Sequence, residues 1–215
     1  MEPSHVAPYT KPAIERSASE ILQKSFPRGI EPPIDIDLVA EKHPLMDGFI
    51  FLPDIQERFN TIAVLRNKSN GHFEIIVDAD MSWGRASFSI AHEIGHVILH
   101  PALYAGCFTI DDSINLSKRI SRSYGRIERE ANYFAGAILI PRKTIFEDVQ
   151  RIYSGILRGY AGNIRWGEII SILRAALANR YRVSVQTMGI RLEQLRIDRK
   201  LNDAVAANLD FISWS

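Results

Sequence analysis

One cysteine, Cys107, stands in the 215 residues. No disulfide can form within the chain, which argues against a small secreted scaffold stapled by disulfides. Long apolar runs are missing too. Stretches such as Ala135 to Pro141 fall far short of the roughly 20 residues a bilayer-crossing helix needs. Neither sign of charge dominates: 26 Lys and Arg face 25 Asp and Glu, a formal net charge of +1, so composition suggests neither a polyanion-coating protein nor a disordered one. The first thirty residues carry Pro3, Pro8 and Pro12 without the basic and apolar regions of a signal peptide, so export is not indicated. There is no internal repeat and no low-complexity segment. The expectation is a soluble, cytoplasmic protein without membrane association, long enough for one domain plus a small helical appendage.

What is present is a change of periodicity along the chain. Residues 1–13 read as a flexible lead-in. Ala18, Ile21, Leu22 and Phe26 predict a helix over 17–26, and the run from Ile34 to Ala40 a second, with Asp35 or Asp37 near its start. Strands are predicted at 48–52, 61–65 and 73–77, the last two forming a hairpin across the turn cluster Asn67 to Gly71. From Arg85, the residues Phe88, Ala91, Ile94, Gly95, Ile98 and Leu99 give a broad helical face that stops before Pro101. Residues 101–122 read as loop. Helices follow at about 123–140, 142–153, 165–181 and 184–196. The order predicts an α+β fold, a small three-stranded sheet beside the helix that starts at Arg85, with a core over 14–160 and a helical C-terminal subdomain over 161–215.

That helix carries His92-Glu93-Ile94-Gly95-His96. Residues four apart share a helix face, so His92 and His96 can aim imidazole nitrogens at one ion. Glu93, rotated by about 100°, stands beside the ion as a general base for a water. Gly95 would let another backbone or a ligand approach closely. Catalytic zinc takes three protein ligands and keeps one open position, so a third ligand is needed. His100 continues the face, but it lies eight residues and about 12 Å from His92 along the axis. It reads instead as a last-turn residue interacting with C-terminal carbonyls. The better source is the helix holding Glu128 and Asn132, four apart on one face. There Glu128 can bind the metal and Asn132 can hold a ligand in orientation. Glu130 competes; it lies about 200° round from Glu128, so only one of the two can face the metal.

The segment Arg85 to His96, followed by Glu128-x-Glu130-Ala131-Asn132-x-Phe134-Ala135 and Ile138-Leu139-Ile140-Pro141, resembles the ImmA/IrrE-type metallopeptidase family, over about residues 17–195. The resemblance implies a gluzincin-like metallopeptidase core at 14–160 and Zn2+ as cofactor. It places the third ligand on Glu128, beside His92 and His96, with Glu93 as catalytic base. It also implies cleavage of a helix-turn-helix transcriptional repressor, which switches on stress or mobile-element genes. Some relatives carry a fused repressor or sensor domain. With no room for either here, a separate protein partner is expected. The oxyanion-stabilising residue is not legible; Tyr104, Tyr124 and Tyr133 are candidates by type only.

Residues 177–195 read helix, turn, helix, and from Arg165 to Leu201 eight Lys or Arg outnumber three Asp or Glu. Direct DNA binding is nonetheless the weaker reading, because no base-reading residues stand out. The alternative to an enzyme is a non-proteolytic DNA- or repressor-binding regulator with a structural zinc. Glu93 speaks against it, since a structural zinc needs no base. Cys107 reads as a small buried hydrophobe, and Asp111 and Asp112 as solvated loop residues.

Overall fold

A computed structural model describes residues 7–68, 70–119, 121–160 and 165–207. The first six residues of the lead-in, and 161–164 and 208–215 of the C-terminal part, lie outside the described residues. The chain forms two compact units, one of residues 1–30 and 35–139, the other of 31–34 and 140–215.

The first unit opens with α1 (Lys11–Ser25), which starts six residues before its expected position. Pro12 does not interrupt this segment. It occupies the first helical turn, where its missing N–H costs nothing, and the Thr10 hydroxyl accepts from Ala13 N. Ile14, Ala18 and Leu22 bury one face. Next comes α2 (Ile36–Lys42), capped by Asp35, whose carboxylate accepts from Leu38 N at 3.2 Å.

The sheet has β1 (Met46–Leu52), then a short α3 (Ile55–Phe59), β2 (Ala63–Asn67) and β3 (Phe73–Asp78). Its order is β1-β3-β2: β2 pairs antiparallel with β3 as the predicted hairpin, while β1 runs parallel to β3 on its other side. Every residue of β3 is buried, as a central strand covered on both faces requires. Asp78 at its end accepts from Gln56 N at 2.6 Å and so satisfies the start of α3. Strand β2 sits two residues later than expected because Asn67, assigned from sequence to the turn, is held in the strand. Its N–H donates to Cys107 O at 2.7 Å and its side-chain amide to Ala105 O at 2.6 Å.

Helix α4 (Trp83–Leu99) packs on β2 and β3, and the short α5 (Pro101–Tyr104) follows it. The stretch expected to be loop also contains α6 (Ile110–Arg119). A reciprocal cap starts it. Thr109 Oγ1 accepts from Asp112 N at 3.1 Å, and Asp112 Oδ2 accepts from Thr109 N at 2.9 Å, the capping-box arrangement. Ser113 of this helix donates through its hydroxyl to Leu65 O of β2. Last in the unit is α7 (Ser121–Leu139), packed on α4 and α1.

The second unit comprises α8 (Arg142–Gly159), α9 (Trp166–Tyr181), α10 (Val185–Gln194) and α11 (Ile197–Ala206). Asp148, buried on α8, accepts from Arg180 Nε and from the Tyr181 hydroxyl of α9. The turn between α9 and α10 uses Arg182 in the left-handed region (φ 51°), and Ser184 caps α10 by accepting from Thr187 N. Arg191 of α10 is 1% exposed and donates from Nε to Ile140 O at 3.1 Å. Among the described residues no helix is long and apolar enough to cross a membrane.

Candidate metal centre

Two helix faces build the centre. α4 presents His92 and His96, and α7 presents Glu128 and Asn132, each pair four residues apart and therefore on one stripe. The helices approach closely at Gly95. A Cβ built there would stand 3.2 Å from the Cα and the carbonyl oxygen of Ala131 and from the Phe134 ring, a spacing that a larger side chain would widen. Gly95 thus admits the backbone of α7, one of the two uses its sequence suggested.

Three donor groups converge across this contact. His92 Nε2 and His96 Nε2 are 3.0 Å apart, and each lies 3.3 Å from a Glu128 carboxylate oxygen. The three side chains can hold a metal ion. Asn132 Oδ1 accepts from His92 Nδ1 at 3.1 Å, which leaves the lone pair of a neutral imidazole on Nε2, the nitrogen facing the cluster. Burial lowers His96 to about 4, against the opposing pull of Glu128, so its ring is neutral and able to ligate at neutral pH. His92 is also buried, which lowers it, but hydrogen bonding to Glu128 and the charges of Glu93 and Glu128 outweigh burial and raise it. Glu128 is pushed up by burial and pulled down further by its two histidine partners, so its carboxyl stays below the usual range.

Glu93 is buried and faces the same cleft. Burial pushes its carboxyl up to about 7; the neighbouring His92 opposes this and Glu128 adds to it. His100 and Glu130 do not join the cluster. His100 Nε2 donates to Glu130 Oε2 at 2.8 Å, and Glu130 also accepts from Arg126 and from Tyr9 N. His100 therefore finds a carboxylate where C-terminal carbonyls were the expected partner, and Glu130 is buried in a second polar group behind the cluster.

The cleft in front of the cluster has a volume of about 520 Å3. Its walls come from β2 and the residues before it, from α6, and from Phe88, Tyr104 and Tyr124. Of the three candidate tyrosines, Tyr104 and Tyr124 line the cleft. Tyr104 packs against His96 with ring centroids 4.9 Å apart, while Tyr133 donates to Glu15 Oε1 instead. Sequence reasoning missed Phe88 and α6 as cleft walls. Phe88 stands four residues before His92 and could have been found by extending the histidine stripe one turn.

An α+β fold with two histidines and a glutamate gathered on packed helices, and a second glutamate buried beside them, defines a metallopeptidase-type protein. The family comparison agrees. The chain belongs to the peptidase family described as the IrrE N-terminal-like domain, whose model matches residues 54–193, from α3 almost to the end of α10. No curated protein matches the chain.

Proposed function

We propose that the protein is a zinc-dependent endopeptidase acting on a protein partner, with His92, His96 and Glu128 as zinc ligands and Glu93 as catalytic base. The observation that carries this reading is the spacing of the three donors. Donors at 2.0–2.1 Å from a tetrahedral ion stand about 3.3 Å from one another; here His92 Nε2 and His96 Nε2 are 3.0 Å apart, and each lies 3.3 Å from a different oxygen of the Glu128 carboxylate. Two imidazoles and one carboxylate suit zinc, and three protein ligands beside an open cleft form the catalytic pattern, whereas a structural site closes with four. Bound there, zinc supplies Lewis-acid polarisation and acidifies water.

The remaining work falls to the chain's own residues. Asn132 holds the His92 ring with Nε2 toward the cluster. Glu93 takes the proton of the attacking water and delivers it to the leaving amine, which requires the carboxylate to begin unprotonated. The partner we favour is a helix-turn-helix repressor whose loss switches on stress or mobile-element genes; the resemblance of the two motifs to the ImmA/IrrE-type family supports it. Co-expression of a candidate repressor with wild type and with Glu93→Gln, followed by intact mass of the repressor and zinc content of the enzyme, tests the reading. Cleavage is expected with wild type only, at equal zinc content. If repression is relieved equally by both with the repressor left whole, the protein is a regulator by binding.

A further inference from the structure

Strand β2 stands at the edge of the sheet, and it shares one cleft with the metal cluster. Its pairing with β3 fixes which of its backbone groups face outward. Asp78 N donates to Ile62 O at 2.9 Å, and the register sets Val64 opposite Ile76 and Arg66 opposite Glu74. In an antiparallel ladder these residues exchange hydrogen bonds with β3, so the N–H and C=O groups of Ala63, Leu65 and Asn67 point to the other side. Three bonds agree. Ala63 O accepts from the Thr61 hydroxyl, Leu65 O accepts from the Ser113 hydroxyl of α6, and Asn67 N donates to Cys107 O. Such an edge is a template for an extended polypeptide, which would pair with the same outward groups. At Leu65 O, α6 already holds that place.

The chain before α6 is firmly fixed and α6 itself is not. Asn67 bonds to both Ala105 O and Cys107 O, and Cys107 is fully buried. Phe108 and Thr109 are then exposed, and among the described side chains of α6, those of 110–116, only Leu116 is buried. By contrast α4 buries ten of its residues. A segment with so little buried surface opens at lower cost than the rest of the fold. We infer that α6 is a cover hinged at Phe108 and Thr109 and latched by the Ser113 hydroxyl on Leu65 O, and that a polypeptide lying along β2 displaces it. The incoming chain's N–H replaces the hydroxyl on Leu65 O, and the hydroxyl passes to water. This rests on the zinc-peptidase reading above and adds a control of access to the same cleft. Affinity for a long chain is then reduced by the fraction of molecules that stand open, whereas a ligand too short to reach Leu65 escapes the reduction.

Two probes test it without knowledge of the natural substrate. One is acetohydroxamate, a chelator with no arms; the other is a hexa-alanine pseudopeptide with a central phosphinate, which chelates the metal and extends an alanine arm to either side. Their affinities would be measured by calorimetry on the zinc-loaded full chain, wild type and Ser113→Ala, with zinc content and melting temperature determined first. Loss of the latch is expected to raise affinity for the pseudopeptide about fivefold, the worth of one hydrogen bond, and to leave acetohydroxamate unchanged. Hydrogen exchange of the wild type gives a second reading: amides 110–116 should exchange faster with the pseudopeptide bound than with acetohydroxamate bound. Pseudopeptide affinity unchanged or lowered in Ser113→Ala, an equal rise for both probes, or exchange over 110–116 that the pseudopeptide leaves unchanged or slows would each overturn the inference and leave the metal assignment standing. A chain that takes up no zinc would overturn the metal assignment and the inference with it. Should Ser113→Ala fail to fold, exchange on the wild type decides.

Discussion

Glu128 and Glu130 stand two positions apart on one helix and have opposite surroundings. Glu128 faces two imidazoles across 3.3 Å, while Glu130 is buried against His100, Arg126 and the Tyr9 backbone. Glu128→Gln is therefore expected to lower the zinc content of the purified protein. Glu130→Gln should keep the zinc and cost about 1–3 kcal/mol of stability, because three donors, His100, Arg126 and the Tyr9 N–H, lose a charged partner. Elemental analysis and thermal denaturation of both variants check this, and zinc loss in Glu130→Gln alone would move the ligand. Glu93 yields a second expectation, for the metal-free protein. Its folded carboxyl is pushed up to about 7 by burial from an ordinary value of 4.5, so between those values the folded state binds the extra proton. The contribution is present in full below pH 4.5 and is lost as pH rises through 7, up to about 3 kcal/mol. Glu93→Gln removes that loss. The metal-free variant should melt higher than metal-free wild type, by more at pH 8 than at pH 5; an equal difference at both pH values would contradict the burial effect.

At the scale of elements, the contact between α4 and α7 sets the donor spacing. Gly95→Ala would place a methyl 3.2 Å from the Ala131 backbone, which cannot rotate away as a side chain can. The gain in helix propensity, about 1 kcal/mol, is therefore expected to be outweighed by overpacking of about 1–3 kcal/mol. Zinc affinity should fall as the two stripes separate. Thermal melts and zinc competition measure the pair; a stabilised variant with unchanged zinc affinity would show that the contact has slack. Some elements were plainly legible. His92 and His96, and Glu128 and Asn132, each lie four apart, and that spacing requires a shared face once the segment is helical. Helix α6 was misread as loop because its apolar periodicity is weak, although Thr109-x-x-Asp112 is a capping signature that reads without any structure. The start of α1 was misplaced because prolines were read as punctuation, when a proline in the first turn favours a helix.

At the scale of the whole molecule, charge decides what the C-terminal helices can do. Of the eight cationic residues from Arg165 to Leu201, Arg174 pairs with Asp198, Arg180 pairs with Asp148, and Arg191 is buried with its Nε on Ile140 O. These three are lost to a phosphate backbone. Arg191 lies on α10, the helix that would enter a groove. Weak binding to duplex DNA is expected, without sequence preference and vanishing between 50 and 200 mM salt. Fluorescence anisotropy on unrelated duplexes would show it, and tight, sequence-selective binding would revive the DNA-binding reading.

By itself the sequence determined the α+β class, the longer periodic helices such as α4, α7 and α9, and the two pairs of polar residues that share helix faces, because all of these are local consequences of periodicity and of residues four apart. Tertiary structure alone decided the rest. The parallel pairing of β1 with β3, the pairing of Glu130 with His100 rather than with the cluster, and the meeting of β2, α4, α6 and α7 around the cleft all join segments distant along the chain, and no local rule sums their separate contacts. The 3.0–3.3 Å spacing of the three donors is of this kind as well: it exists only because Gly95 lets α7 come close enough for Glu128 to face both histidines.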